Sequence, residues 1–235
     1  MHPNSRHLSE KQLYFISMEN LNFHVIGFDL DHTLYPKSKK IDEKIQSYLY
    51  GKIAENKKIT LSKARSLFDE RYKNGSGTSG GQTLRDIGIE NGSEIIQEAL
   101  ENADISSMLT PDKNVNSLIS QIVSKYKNVD LITGSNMHQT HIKLNALDIP
   151  LKTFSHIITA DDGSKSNGDN FKKWLSLYPS YNPKHFLYIG DRARLDCDVP
   201  SALGIHTALV YVKEVDEKLP CTQYHSLVDT LQDLL

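Results

Sequence analysis

Phe23-His24-Val25-Ile26-Gly27-Phe28-Asp29-Leu30-Asp31-His32-Thr33-Leu34-Tyr35 is a short apolar run that ends in two acids. An apolar run of this length without helical spacing suits a strand buried on both faces, which puts the acids at its carboxyl end. Later runs repeat the plan. Val129 to Thr133 leads into Thr-Gly-Ser-Asn, His185 to Ile189 into Gly190-Asp191, and His206 to Val212 comes last. A shorter run, Ser155 to Thr159, precedes Ala160-Asp161-Asp162. Helical spacing fills the gaps: Ile142, Leu144 and Leu147 after Met137, then Phe171, Trp174, Leu175 and Tyr178 before Pro179. A closing helix is predicted from Thr222 to Leu235 on Leu227, Val228, Leu231 and Leu235. Strands alternating with helices predict an α/β fold with a doubly wound parallel sheet, whose ligands bind beyond the carboxyl ends of the strands.

Residues 36–125 break that rhythm. They offer no convincing strand but several helical faces: Ile41, Ile45, Tyr48, Leu49 and Ile53; Leu61, Ala64 and Leu67; Ile95, Ile96 and Leu100; Val115, Leu118 and Ile119. The block reads as an all-helical insertion after the first core strand, with its last helix leading back into the core. Residues 23–35 and 126–235 then form the α/β core, and residues 1–22 a poorly packed extension. Gly75-Ser76-Gly77-Thr78-Ser79-Gly80-Gly81 is the most flexible stretch by composition and lacks the Gly-Lys-Ser/Thr of a phosphate-binding P-loop.

With 235 residues, 38% of them hydrophobic, the chain can bury a real core. A net charge of −2 and no long basic run argue against a nucleic-acid polymer as partner. Lys37, Lys39 and Lys40 sit beside Asp42 and Glu43 and read as a solvated helix start. No segment approaches a bilayer-spanning length, and the N-terminus lacks the basic start and apolar run of a leader. Cys197 and Cys221 are expected as free thiols, which with the missing leader suggests a cytoplasmic protein.

The chemistry gathers at the strand ends. Asp29 and Asp31, at i and i+2, point the same way if the chain stays extended. One acid held ionised by a cation and the other exchanging a proton would make a nucleophile and a general acid/base. Thr133 and Gly134 open a turn where a hydroxyl, a backbone N–H and the start of the next helix could receive a phosphoryl oxygen. Asp191 and Asp196, in Gly190-Asp191-Arg192-Ala193-Arg194-Leu195-Asp196, offer carboxylates to a hard cation. Lys165 could neutralise phosphate charge. Each feature alone has a bland reading, as an exposed acid, a turn cap or a solvated lysine.

The ordered set, Asp-x-Asp-x-Thr, a strand ending in Thr, Lys, then Gly-Asp-x-x-x-x-Asp, resembles the haloacid dehalogenase superfamily over residues 23 to 212. Phe28 to Pro36, with Tyr72 to Leu84 and Thr133 to Ile149, is similar to its pyrimidine 5′-nucleotidases. The resemblance implies a Rossmann-like core and a helical cap closing over the site. It implies a Mg²⁺-dependent phosphatase acting on a small phosphate monoester, with Asp29 as nucleophile and Asp31 as acid and base. Thr133, Gly134 and Lys165 would hold the phosphoryl oxygens. Asp29, the Asp31 backbone carbonyl and Asp191 would bind the metal, with Asp196 in or near the next shell. Thr78 and Ser79 of the cap would face the substrate. The chain departs from the pattern at His32, where many members have Gly or Asn, and at Asp148, where Gly is frequent. Lys165 is followed by Ser-Asn-Gly and not by Pro-x-Pro.

His138 and His141 are spaced as a metal pair on a helix but lack an evident third ligand, and Trp174 reads as core. Other readings stay open: a phosphomutase or sugar-phosphate phosphatase of the same fold, and a family member that has lost catalysis and acts through protein contacts. A receiver domain is disfavoured, because its acid pair is separate from its phosphorylated Asp.

Overall fold

The computed structural model describes residues 21–74, 80–103 and 105–235. Its sheet contains β1 (Val25–Phe28), β2 (Asn128–Ile132), β3 (Ile157–Ile158), β4 (Phe186–Gly190), β5 (His206–Leu209) and β6 (Thr222–Gln223). The strand order is β3-β2-β1-β4-β5-β6 and every pair is parallel. This is the predicted doubly wound α/β core. β1 is central: the chain leaves it, returns as β2 on one side and reaches β4 on the other. The crevice between their carboxyl ends is therefore the topological switch point.

Side chains alternate between the two faces, as strand geometry requires. Ile26 and Phe28 enter a cluster with Val129, Leu131, Leu187 and Ile189, while Val25 enters another with Ile132, Phe186 and Tyr188. Gly27 lies between them because Trp174 packs against it: a Cβ there would stand 2.6 Å from the indole. Trp174 is fully buried and donates its Nε1–H to Asp130 at 2.7 Å, so it is core, as its apolar stripe predicts.

The helical block contains α1 (Lys39–Lys57), α2 (Leu61–Asn74), α3 (Gly80–Asp86) and α4 (Gly92–Asn102). Leu49, Tyr50, Ile53, Ala64, Phe68, Leu84, Ile89, Ile95 and Ala99 form an apolar cluster of its own. Next comes α5 (Lys113–Tyr126), N-capped by Asp112, whose Val115, Leu118, Ile119 and Ile122 join the main core. The core continues with α6 (Met137–Ala146), α7 (Asp169–Ser176), a π-helical turn over Ala193–Asp198 that runs into α8 (Val199–Ser201), and α9 (Leu227–Leu234).

Three expectations are corrected. The closing helix begins at Leu227 and not at Thr222. Ser226 caps it by accepting the Asp229 N–H, and Thr222–Gln223 is instead strand β6 beside β5. Cys197 and Cys221 are joined in a disulfide, with Cα atoms 5.9 Å apart, and are not free thiols. Local sequence gives no sign of this pairing. It follows from β6 docking on β5, which brings residue 221 beside the turn after β4. Finally, Lys37 is more than a solvated cation, since its ammonium lies 2.8 Å from Asp191 Oδ2. Residues 1–20, and Thr78 and Ser79, lie outside the described residues. No described helix is long and apolar enough to cross a membrane.

Candidate active site

Asp29 continues β1 by one residue, its N–H bonding the Ile189 carbonyl at 2.8 Å. The chain then turns: the Thr33 and Leu34 N–H groups both reach back to the Leu30 carbonyl. That turn needs a left-handed residue, and His32 supplies it at φ 59°. Non-glycine residues there are uncommon, with Asn and His among those that tolerate it. The turn returns Thr33 Oγ1 to donate to Asp29 Oδ2 at 3.2 Å.

Lys165, in a short turn before α7, is buried and donates to Asp29 Oδ1 at 2.8 Å while pairing with Asp196. Its ammonium also lies 5.2 Å from the centre of the Tyr188 ring. Asp196 is fully buried under the end of β4, where its Oδ2 accepts the Asp191 and Arg192 N–H groups at 3.2 and 3.0 Å. Gly190 permits this approach, because a Cβ there would collide with the Asp196 side chain. Asp191 contrasts with Asp196. Both its carboxylate oxygens are buried and neither receives a hydrogen bond, although Lys37 Nζ is close to one of them.

Burial pushes the Asp29 pKa up to about 7, with Lys165 opposing and the Asp196 and Asp31 charges adding to the rise. Asp31 behaves in the opposite way. Burial works to raise it, but the Lys143 ammonium and hydrogen bonds from Lys143, Ser135 and Tyr35 hold it well below the usual carboxylate range. Burial would lower Lys165, and the Asp196 and Asp29 charges outweigh it and keep the amine protonated. Without a cation, Asp29 is thus biased toward its protonated form and Asp31 toward its ionised one. This is the reverse of the states from which a nucleophile and a general acid act, so the division depends on charges that arrive with metal and substrate.

Asp29, Asp191 and Asp196 each offer an oxygen, all within 4.8 Å of one another. An all-carboxylate set of this kind suits a hard divalent cation, and the two orphaned oxygens of Asp191 lack a hydrogen-bonded partner of their own. Asp196 is already engaged by Lys165 and two backbone N–H groups, and Asp29 by Lys165 and Thr33, so Asp191 is the carboxylate freest to bind.

The family model for haloacid dehalogenase-like hydrolases matches residues 26–210. The chain belongs to that family. No curated protein matches it. Among solved structures, a HAD phosphatase from Thermococcus onnurineus shares 16% identity at a TM-score of 0.63, over 90% of this chain and 98% of that one. A haloacid dehalogenase-like hydrolase from Streptococcus pneumoniae shares 15% at 0.65, over 91% and 99%. Magnesium-bound YfnB of Bacillus subtilis shares 16% at 0.57, over 91% and 99%. Identities this low establish the common fold alone.

In this family member, Asp29, Lys165 and Asp196 are in direct contact and Asp191 stands beside them. Thr133 is buried at the end of β2. Its expected role needs correction, since its backbone N–H is taken by the Ile158 carbonyl at 2.9 Å as the β2–β3 ladder runs on. Its Oγ1 accepts the Ser135 N–H, which leaves the hydroxyl proton free to donate outward. The start of α6 is also occupied: Asn136 accepts the Gln139 N–H and Asp161 accepts the Met137 N–H. Gly134 has open space on its side-chain face.

Sequence reading missed Tyr35, Ser135 and Lys143, all of which bond Asp31. A signal for Lys143 existed. Thr140, Lys143 and Leu147 are spaced three and four apart, so the buried face of α6 runs through a lysine.

Proposed function

We propose that the protein is a Mg²⁺-dependent phosphatase of small phosphate monoesters that works through a phosphorylated Asp29. One observation carries the reading: the Asp29 carboxylate meets a buried Lys165 ammonium and lies within 4.8 Å of Asp191 and Asp196 oxygens. Asp29 and Asp191, with the Asp31 carbonyl implied by the family resemblance, would hold Mg²⁺, and Asp196 would orient the loop behind them. The ion would supply charge neutralisation for the phosphoryl oxygens and keep Asp29 ionised.

Asp29 attacks phosphorus, forming an aspartyl–oxygen bond to phosphorus as the ester oxygen leaves. Lys165 and the Thr133 hydroxyl receive charge on the transferring group, which is the main demand of phosphoryl transfer. Asp31 hands a proton to the departing oxygen, then takes one from the water that releases phosphate from Asp29. The arriving phosphate's negative charge favours the protonated form of Asp31, a like-charge effect. The cap reading of residues 36–125 is part of the proposal, with α1 to α4 as the closing block, since α5 packs into the main core. Magnesium-bound YfnB reveals interdomain movement in that protein, and a cap closing over the site would require movement of this kind here.

The finer reading is pyrimidine nucleoside 5′-monophosphates as substrates. It rests on the resemblance over Phe28 to Pro36 and gives Thr78 and Ser79 the contact to base or ribose. Phosphate release from p-nitrophenyl phosphate, UMP, CMP, AMP and glucose 6-phosphate tests both levels. Turnover in Mg²⁺ that stops in EDTA is expected, with UMP and CMP leading. Turnover unaffected by exhaustive chelation contradicts the metal reading, and sugar phosphates in the lead contradict the finer one.

A further inference from the structure

Proton transfer by Asp31 does not by itself explain why three side chains converge on that carboxylate. Tyr35 Oη–H donates to Asp31 Oδ1 at 2.6 Å, Lys143 Nζ donates to the same oxygen at 2.6 Å, and Ser135 Oγ–H donates to Oδ2 at 2.6 Å. Lys143 also donates to Ser135 Oγ at 2.8 Å. Asp31, Lys143 and Ser135 therefore close a ring of three hydrogen bonds, and both oxygens of Asp31 are held. Lys143 is only 1% exposed, on the inner face of α6, where helices of such sheets bury apolar side chains. A buried lysine costs stability unless it is paired, so its retention needs an explanation beyond packing. The ring links three elements: the loop after β1, the turn after β2 and the second turn of α6.

We propose that Lys143 is a positioning residue for the proton-transfer carboxylate: with Ser135 it fixes the Asp31 side chain in one orientation through the ring, and this orientation determines how well poor leaving groups depart. The proposal rests on the phosphatase reading. Lys143 is distinct from Lys165, which contacts Asp29 and Asp196 and not Asp31. A carboxyl held by two partners has less freedom to lose before it meets the departing oxygen, and such pre-organisation is where supporting side chains act.

Leaving-group dependence separates positioning from folding. p-Nitrophenolate leaves as a stable anion and needs little help from an acid, whereas an alkoxide needs a proton as its bond to phosphorus breaks. Wild type, Lys143→Met and Ser135→Ala are compared with saturating Mg²⁺ on p-nitrophenyl phosphate and on 2-phosphoglycerol, and unfolding midpoints are recorded. The comparison is made on kcat/KM, which covers the steps up to the phosphorylated Asp29 and excludes its hydrolysis, common to both esters. In Lys143→Met it is expected to fall about 10- to 100-fold for 2-phosphoglycerol and no more than about threefold for p-nitrophenyl phosphate. Ser135→Ala should show the same inequality with a smaller loss, and it decides the matter alone if Lys143→Met does not fold. Equal losses of kcat/KM on the two esters, or an unchanged or raised kcat/KM on 2-phosphoglycerol, overturn the proposal. A wild type that hydrolyses neither ester overturns the phosphatase reading itself, a distinguishable result.

Discussion

Asp29 sits where a nucleophile is needed but is ill-suited to be an anion there without help. It is 5% exposed, and burial holds its pKa near 7 even with Lys165 attached. In metal-free protein the folded state therefore keeps a proton on Asp29 that the unfolded chain releases near the ordinary value of 3.8. Between those two values the folded state binds the extra proton, so this group's contribution makes stability fall as pH rises from about 4 to about 7. Asp29→Asn removes the titration. In EDTA, urea midpoints of the variant relative to wild type should rise from pH 5 to pH 8. Parallel pH profiles for the two proteins would contradict the buried-acid account. At this scale the sequence was informative about residue types and silent about their partners. The acids, Thr133 and Lys165 were legible because their order along the chain resembles a family. His32 and Asp148 stand where glycine or asparagine is common, and both occupy left-handed backbone, at φ 59° and 55°. The Lys143 ring was hidden because it joins residues more than a hundred positions apart.

The elements matter through their ends. β1, β2 and β4 were readable as apolar runs because strands buried on both faces tolerate little else. β6 was not readable: two residues carry no period, and only docking on β5 makes Thr222–Gln223 a strand. The end of β4 is the most tightly specified, since Gly190 has no room for a side chain against Asp196. Gly190→Ala should push Asp196 away from the Asp191 and Arg192 N–H groups and from Lys165. Activity should drop about tenfold or more, and the Mg²⁺ concentration for half-maximal activity should rise, as expected when a group supporting a metal ligand is lost. An unchanged Mg²⁺ requirement would show that Asp196 does not support the metal site.

At the scale of the molecule, a parallel sheet with an apolar cluster on each face is joined to a helical block with a cluster of its own. The Cys197–Cys221 disulfide ties the turn after β4 to the sheet edge at β6. Closing a loop of this size is worth about 2–4 kcal/mol, so Cys221→Ser should lower the unfolding midpoint of oxidised protein measurably. The difference should vanish when wild type is reduced, and its persistence in reductant would assign the loss to packing. The central claim, however, is chemical. Protein mixed with Mg²⁺ and an excess of p-nitrophenyl phosphate is quenched in acid within the first turnovers, digested and mapped by mass. The account predicts a phosphoryl group on the peptide carrying Asp29, absent in EDTA and absent from Asp29→Asn. Steady phosphate release with no label on that peptide, matched by full turnover in Asp29→Asn, would contradict it.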